Sequence, residues 1–192
     1  KKIAADNDVC LAVGYLDASI NQNRVVFVSR GGEVLKKYTK TYLTPFERFD
    51  RGNGMPKIID VDGVKIGGMI CQDDNFTSIS RRYGNAAAGI VAVPTLDWKT
   101  VRKPHMQNSI HRAIESRYGI VRAAYDGISA IISPRGEIIA SYDHIKCGPG
   151  MVVADLGVGG TATIFNRYGN WMVWVCAGVC VLYKIRKRFA AA

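Results

Sequence analysis

The sequence predicts a layered α/β domain with mixed sheets, and three observations carry that expectation. Apolar runs of strand length recur between Val9 and Leu156, separated by turn residues. Two stretches, one following Asp73 and one starting at Pro104, carry helix caps or helical spacing instead. Glycine and proline turns at Gly31-Gly32 and Pro134-Arg135-Gly136 join neighbouring runs into hairpins. Strands mixed with helices in this order fold as sheets covered by helices.

The elements follow in order. The polar start, Lys1 to Asp8, resembles the end of a helix leading into a strand over residues 9–15. It has no initiator methionine, signal peptide or apolar leader. A chain that opens partway through a β/α unit is expected to be a fragment. Residues 24–29 and 33–38 flank Gly31-Gly32 as a hairpin. Residues 64–70 form a buried strand, and Gln72-Asp73-Asp74-Asn75 then caps a helix running to about Tyr83. Residues 88–93 form another buried strand. From Pro104 to about Tyr118, Met106, Ile110, Ala113 and Ile114 share one helical face, and Gly119 follows as a C-cap. Strands are expected over residues 120–124, 128–133 and 137–142, and a last one over residues 151–156.

The 192 residues suit one domain of ordinary size. The five cysteines, Cys10, Cys71, Cys147, Cys176 and Cys180, show no CxxC pairing and no zinc spacing, so they read as unpaired thiols with no structural metal. Net charge is +10, but the basic residues are scattered without aromatic interleaving, which argues against nucleic acid. The one basic cluster, Lys184-Ile185-Arg186-Lys187-Arg188, suits an anionic membrane surface.

That cluster follows an uninterrupted apolar stretch, Trp171 to Tyr183. Counted from Tyr168 through Ile185, the segment makes a helix on the order of 27 Å, close to the roughly 30 Å hydrocarbon core. Trp171, Trp174 and Tyr183 suit the interfaces, and the basic flank supplies the positive-inside signal. Residues 168–188 are therefore expected to span a membrane, with the C-terminus cytoplasmic and the α/β domain on the opposite side.

Cys71 is the candidate nucleophile. It ends the run Val64-Lys65-Ile66-Gly67-Gly68-Met69-Ile70, so the thiol sits at a strand tip facing a helix N-terminus, where N–H groups and the dipole favour a thiolate. Lys40, at the end of a strand, is placed to stabilise an oxyanion by charge. Pro94-Thr95-Leu96-Asp97-Trp98 sets polar groups beside an aromatic wall at another strand end, where α/β sheets keep ligand sites.

The motifs resemble those of the carbon–nitrogen hydrolase (nitrilase) superfamily, and within it the periplasmic domain of the apolipoprotein N-acyltransferases. Tyr38-Thr39-Lys40-Thr41-Tyr42-Leu43-Thr44-Pro45-Phe46 matches that family's Tyr-x-Lys-x-x-Leu-x-Pro-Phe, and Met69-Ile70-Cys71 stands where its nucleophile ends a strand. Arg112-Ala113-Ile114-Glu115, Arg122-Ala123-Ala124-Tyr125-Asp126-Gly127-Ile128-Ser129 and Pro134-Arg135-Gly136 follow in the family's order. Tyr168-Gly169-Asn170-Trp171 is similar to its entry into a last transmembrane helix. The resemblance implies an αββα sandwich over residues 1–160 with its N-terminal part missing. It implies Cys71 as the nucleophile that becomes a thioester and Lys40 as the oxyanion lysine. It implies no cofactor, a phospholipid as acyl donor, the amine of an apolipoprotein as acceptor, and a place in the bacterial inner membrane.

Several positions depart from the pattern. No residue matches the family's general-base Glu, which lies upstream of the opening helix, and the family's N-terminal transmembrane helices are not in this sequence. This chain alone is therefore expected to lack measurable acyl transfer. After Phe46 the family's Gly-Glu is replaced by Glu47-Arg48, so Glu47 fills the second carboxylate's role only if the loop shifts by one residue. After Cys71 the family's aromatic-Glu is replaced by Gln72-Asp73, and Asp73 keeps a carboxylate on a shorter arm, where its charge opposes a thiolate. Two other readings stand beside acyl transfer to an amine: a membrane-anchored amidase in which water takes the acyl group, and a degenerate family member that binds without catalysis.

Overall fold

A computed structural model describes residues 1–190. A short helix α1 (Lys2–Asp6) precedes three strands, β1 (Leu11–Asp17), β2 (Gln22–Val28) and β3 (Val34–Thr39), which pair antiparallel in that order. A second sheet holds six strands in sequence order: β4 (Ile59–Val61), β5 (Val64–Gly68), β6 (Ile90–Leu96), β7 (Gly119–Tyr125), β8 (Ile128–Ile132) and β9 (Ile138–Asp143). Its centre, β5 to β7, is parallel, and its flanks are antiparallel hairpins. Parallel neighbours need crossovers, and α2 (Thr77–Asn85) and α3 (Arg102–Ser116) supply them.

The mixed α/β expectation holds, and the core shows how the layers stack. Ile79, Tyr83, Ala113 and Tyr118 pack on Met69, Val91, Val93 and Ile120, which joins the two helices to one face of the six-stranded sheet. Val25, Phe27 and Tyr38 meet Ile59 and Ile70 in a second cluster, which seats the three-stranded sheet on the other face. Strand β5 lies between the clusters and carries two glycines for that reason. A Cβ on Gly67 would come within 2.5 Å of the Tyr83 ring, and one on Gly68 within 2.8 Å of Phe27. Their absence lets the strand that leads to Cys71 be covered closely on both sides.

Four expectations need correction. The helix expected from Asp73 is two pieces, a 3-10 turn over Cys71–Asn75 and then α2, because Phe76 is extended between them. Gly119 does not cap α3. Arg117 takes the left-handed conformation instead, at φ 55°. Gly119 opens β7, and a Cβ there would approach Leu156 to 2.8 Å. Residues 151–156 form no strand: Met151 and Val153 are exposed, while Leu156 packs on Gly119 and the backbone of Gly159 bonds to Gly89. The segment crosses the ends of β6 and β7, and an apolar run alone does not distinguish such a crossing from a paired strand.

The fourth concerns residues 168–188. Tyr168 ends a separate helix, α5 (Ile164–Tyr168), and Gly169 turns the chain at φ 60° before α6 (Trp171–Ala190) begins. The apolar part of α6, residues 171–183, rises only about 20 Å, and Lys184, Arg186, Lys187 and Arg188 crowd its last turns. Among the described residues no helix is long and apolar enough to cross a membrane. The transmembrane expectation therefore lacks support, and the orientation drawn from its basic flank goes with it.

Candidate active site

Met69 continues the β5 ladder with an N–H bond to Ala92 (3.0 Å), and the chain then turns sharply. Cys71 makes that turn at φ 45°, a left-handed conformation that costs a non-glycine residue about 1–3 kcal/mol. Its Sγ faces the Leu96 carbonyl at 3.6 Å, at the end of β6. The two strand ends open into one cavity of about 660 Å³, which Lys40 and Glu47 also line and whose apolar wall comes from Leu16, Phe49, Leu96 and Trp98.

Burial pushes the Cys71 thiol above its ordinary value, while the Lys40 charge pulls it down. The stabilised thiolate expected from a helix N-terminus is thus not the resting state, since the element that follows is one 3-10 turn and the site is desolvated. In the free protein, alkylation of Cys71 by iodoacetamide is expected to keep accelerating above pH ~8.5, where an ordinary thiol levels off. Peptide-resolved mass spectrometry reads that profile, and a plateau at or below neutral pH would contradict it.

Of the three nearby lysines only Lys40 is buried, with 1% of its surface exposed, whereas Lys36 and Lys37 face solvent. Its backbone N–H bonds Asn23 as the sheet ends, and Nζ then turns to Glu47, donating to both carboxylate oxygens at 2.8 and 2.7 Å. A tight turn brings Glu47 there: its N–H bonds the Thr44 carbonyl, and the Thr44 N–H returns a 2.7 Å bond to Oε2. Burial raises the Glu47 pKa, but Lys40 and Thr44 outweigh it and hold the carboxyl below its usual range.

Asp73 is near in sequence but points elsewhere. Its Oδ1 accepts from the N–H groups of Thr41 and Tyr42, and its Oδ2 from the Tyr38 hydroxyl and the Ile70 N–H. It ties the segment after Lys40 to the segment before Cys71. Burial raises it to about 6 against those four bonds. The carboxylate that opposes the Cys71 thiolate by charge is Asp97 rather than Asp73.

Behind Cys71 lies a buried polar network that sequence reasoning did not assemble. His105 Nδ1 lies 2.6 Å from Asp97 Oδ1, and Nε2 lies 3.1 Å from the Cys71 carbonyl. Arg122, fully buried, donates to Asp97 Oδ2 at 2.7 Å and to Ser109 at 3.2 Å, and reaches Asp74 at 3.4 Å. Ser109 also donates to Asp74. Asp97 stood out in sequence only as part of a strand-end loop and Arg122 only within a motif. His105 gave no signal beyond sitting four residues before Ser109, on the same face of α3. Ligand atoms of Cys71, Asp97 and His105 lie within 4.8 Å of one another, a spacing a metal ion could bridge, but both His105 nitrogens are already engaged.

The model of the carbon–nitrogen hydrolase family matches residues 1–162. The chain belongs to that family. Among curated relatives of this carbon–nitrogen hydrolase, an apolipoprotein N-acyltransferase of Geobacter metallireducens is 26% identical over 184 residues, covering 83% of this chain and 35% of its own length. Another, from Rickettsia bellii, is 28% identical over 74% of this chain and 33% of its own. A probable nitrilase of Schizosaccharomyces pombe is 29% identical over 72% of this chain and 55% of its own. The chain thus spans about a third of the acyltransferases it matches. The fold is also that of an amidase from Nesterenkonia sp. (TM-score 0.64, 23% identity, 73% of this chain and 59% of that one).

Proposed function

We propose that this carbon–nitrogen hydrolase transfers a fatty acyl group from a phospholipid, through a thioester on Cys71, to the N-terminal amine of an apolipoprotein. One observation carries the reading: the buried Lys40 ammonium, braced by Glu47, and the Cys71 thiol open into the same cavity. A fixed positive charge beside a nucleophile in a water-poor site is what acyl transfer needs, because charge develops on the carbonyl oxygen in the transition state. The relatives named apolipoprotein N-acyltransferases support the choice of acceptor.

In this reading Cys71 loses its proton and Sγ attacks the ester carbonyl. Lys40 stabilises the oxyanion, the C–O bond breaks, and the lysophospholipid leaves with a proton. The acceptor amine then attacks the thioester, the C–S bond breaks, and the thiol is restored. The apolar wall of the cavity suits the acyl chain. The exposed apolar residues of α6 and its basic end suit contact with an anionic lipid surface. Glu47 is committed to Lys40, and Asp73 to four donors, so neither is free to take the thiol proton. Turnover by this chain alone is therefore expected to stay below measurement, and only a slow single acylation of Cys71, at the pace of its small thiolate fraction, is expected.

The test is to incubate the protein with phospholipid vesicles, quench in acid and map the adduct by mass spectrometry. An acyl mass on the Cys71 peptide, lost in Cys71→Ala, is expected. A label on Cys147, or one that survives the substitution, overturns the assignment, and no label at all favours the non-catalytic reading. Adding a diacylated peptide should discharge the thioester faster than water does. Equal rates would make the protein a hydrolase.

A further inference from the structure

We infer that His105 is a positioning residue for Cys71: its Nε2–H donates to the Cys71 carbonyl and holds the left-handed backbone that presents the thiol to the cavity. The inference rests on reading Cys71 as the nucleophile. Its basis is the placement of the ring between two acceptors. The carbonyl oxygen of Cys71 can only accept, and so can ionised Asp97, which the His105 and Arg122 bonds hold below the usual carboxylate range against the effect of burial. The carbonyl contact is therefore a hydrogen bond only when Nε2 carries a proton.

The network also holds the ring from behind. His105 and Ser109 project from the same face of α3, and Ser109 holds Arg122 and Asp74 while Arg122 holds Asp97. The ring is thus fixed from behind by a helix and a central strand, and its free edge fixes Cys71. The φ of 45° is uncommon for cysteine, so the residue relaxes toward the extended region once the grip is released, and Sγ swings with it.

Two substitutions separate this role from a general structural one. In His105→Gln the side-chain amide nitrogen reaches about as far as Nε2 and can donate to Cys71. In His105→Asn the amide stops near the Nδ1 position and serves only Asp97. The full chain is acylated by p-nitrophenyl butyrate and the nitrophenolate burst is followed. His105→Gln should stay within about tenfold of the native rate. His105→Asn should lose roughly 10²-fold at saturating ester with KM unchanged, the scale of a 1 Å misplacement. Equal rates for the two variants overturn the inference. Nitrogen-15 spectra of the native protein give a readout independent of rate: a protonated Nε2 on His105 is expected, and a bare Nε2 overturns the inference even if both variants fail to fold. A burst that persists in Cys71→Ala instead overturns the nucleophile reading, which the nitrogen spectra do not touch.

Discussion

Replacing Lys40 with methionine is expected to lower the rate of Cys71 acylation by about 10² to 10³, the usual cost of removing one oxyanion donor. The ammonium is 1% exposed and two bonds to Glu47 fix its direction, so no solvent reorganisation is needed as charge develops on the substrate oxygen. The substitution also strands the Glu47 carboxylate, which lowers stability for a separate reason. The double variant Lys40→Met/Glu47→Gln removes that second effect. It should recover most of the lost stability in urea titrations and none of the lost rate. Lys36→Ala and Lys37→Ala, at exposed positions, should change the rate little. If all three lysines mattered equally, the segment would act as a basic surface, and the oxyanion role would fail.

Replacing Arg122 with methionine should have the largest effect on stability, about 3–5 kcal/mol, as expected when one partner of a buried ionic network is removed. Arg122 is fully buried between Asp74 and Asp97, and both carboxylates would remain in the core without their main cation. Arg122→Lys should not rescue the loss, because one ammonium cannot reproduce the forked contacts to Asp97, Ser109 and Asp74. The pH dependence has a definite sign. Asp97 is held below its ordinary value, so its contribution is full above about pH 3.9 and is lost as pH falls through its folded value. Arg122→Met raises that folded value and should move acid unfolding to higher pH. Urea denaturation at several pH values measures both effects, and a loss under 1 kcal/mol with no shift in the acid limb would contradict the account.

The role of Arg122 was legible in sequence only as one letter of a motif, and the reason is geometric. Asp74 lies on the 3-10 turn, Asp97 in the loop after β6, Ser109 on α3 and Arg122 on β7, and no period along the chain relates them. They meet because β6 and β7 are parallel neighbours and α3 crosses between them. The end of the chain failed in the opposite way. Its composition was clear, but the length of its helix depended on where the turn at Gly169 fell.

The sequence by itself determined what local patterns determine. Apolar period, turn residues and motif order gave the mixed α/β class, the hairpin of β2 and β3, and Cys71 at the end of a strand beside a turn. These depend on interactions within a few residues, which the chain states directly. Tertiary structure alone decided that Glu47 faces Lys40, that Asp73 serves as a tie and Asp97 as the nearer charge, and that His105 stands between Asp97 and the Cys71 carbonyl. It also decided that residues 151–156 cross strand ends instead of pairing. Each of these depends on which surfaces the loops and crossovers bring into contact. A buried charge takes whatever partner that packing supplies, because leaving it unpaired costs more than any local preference can return.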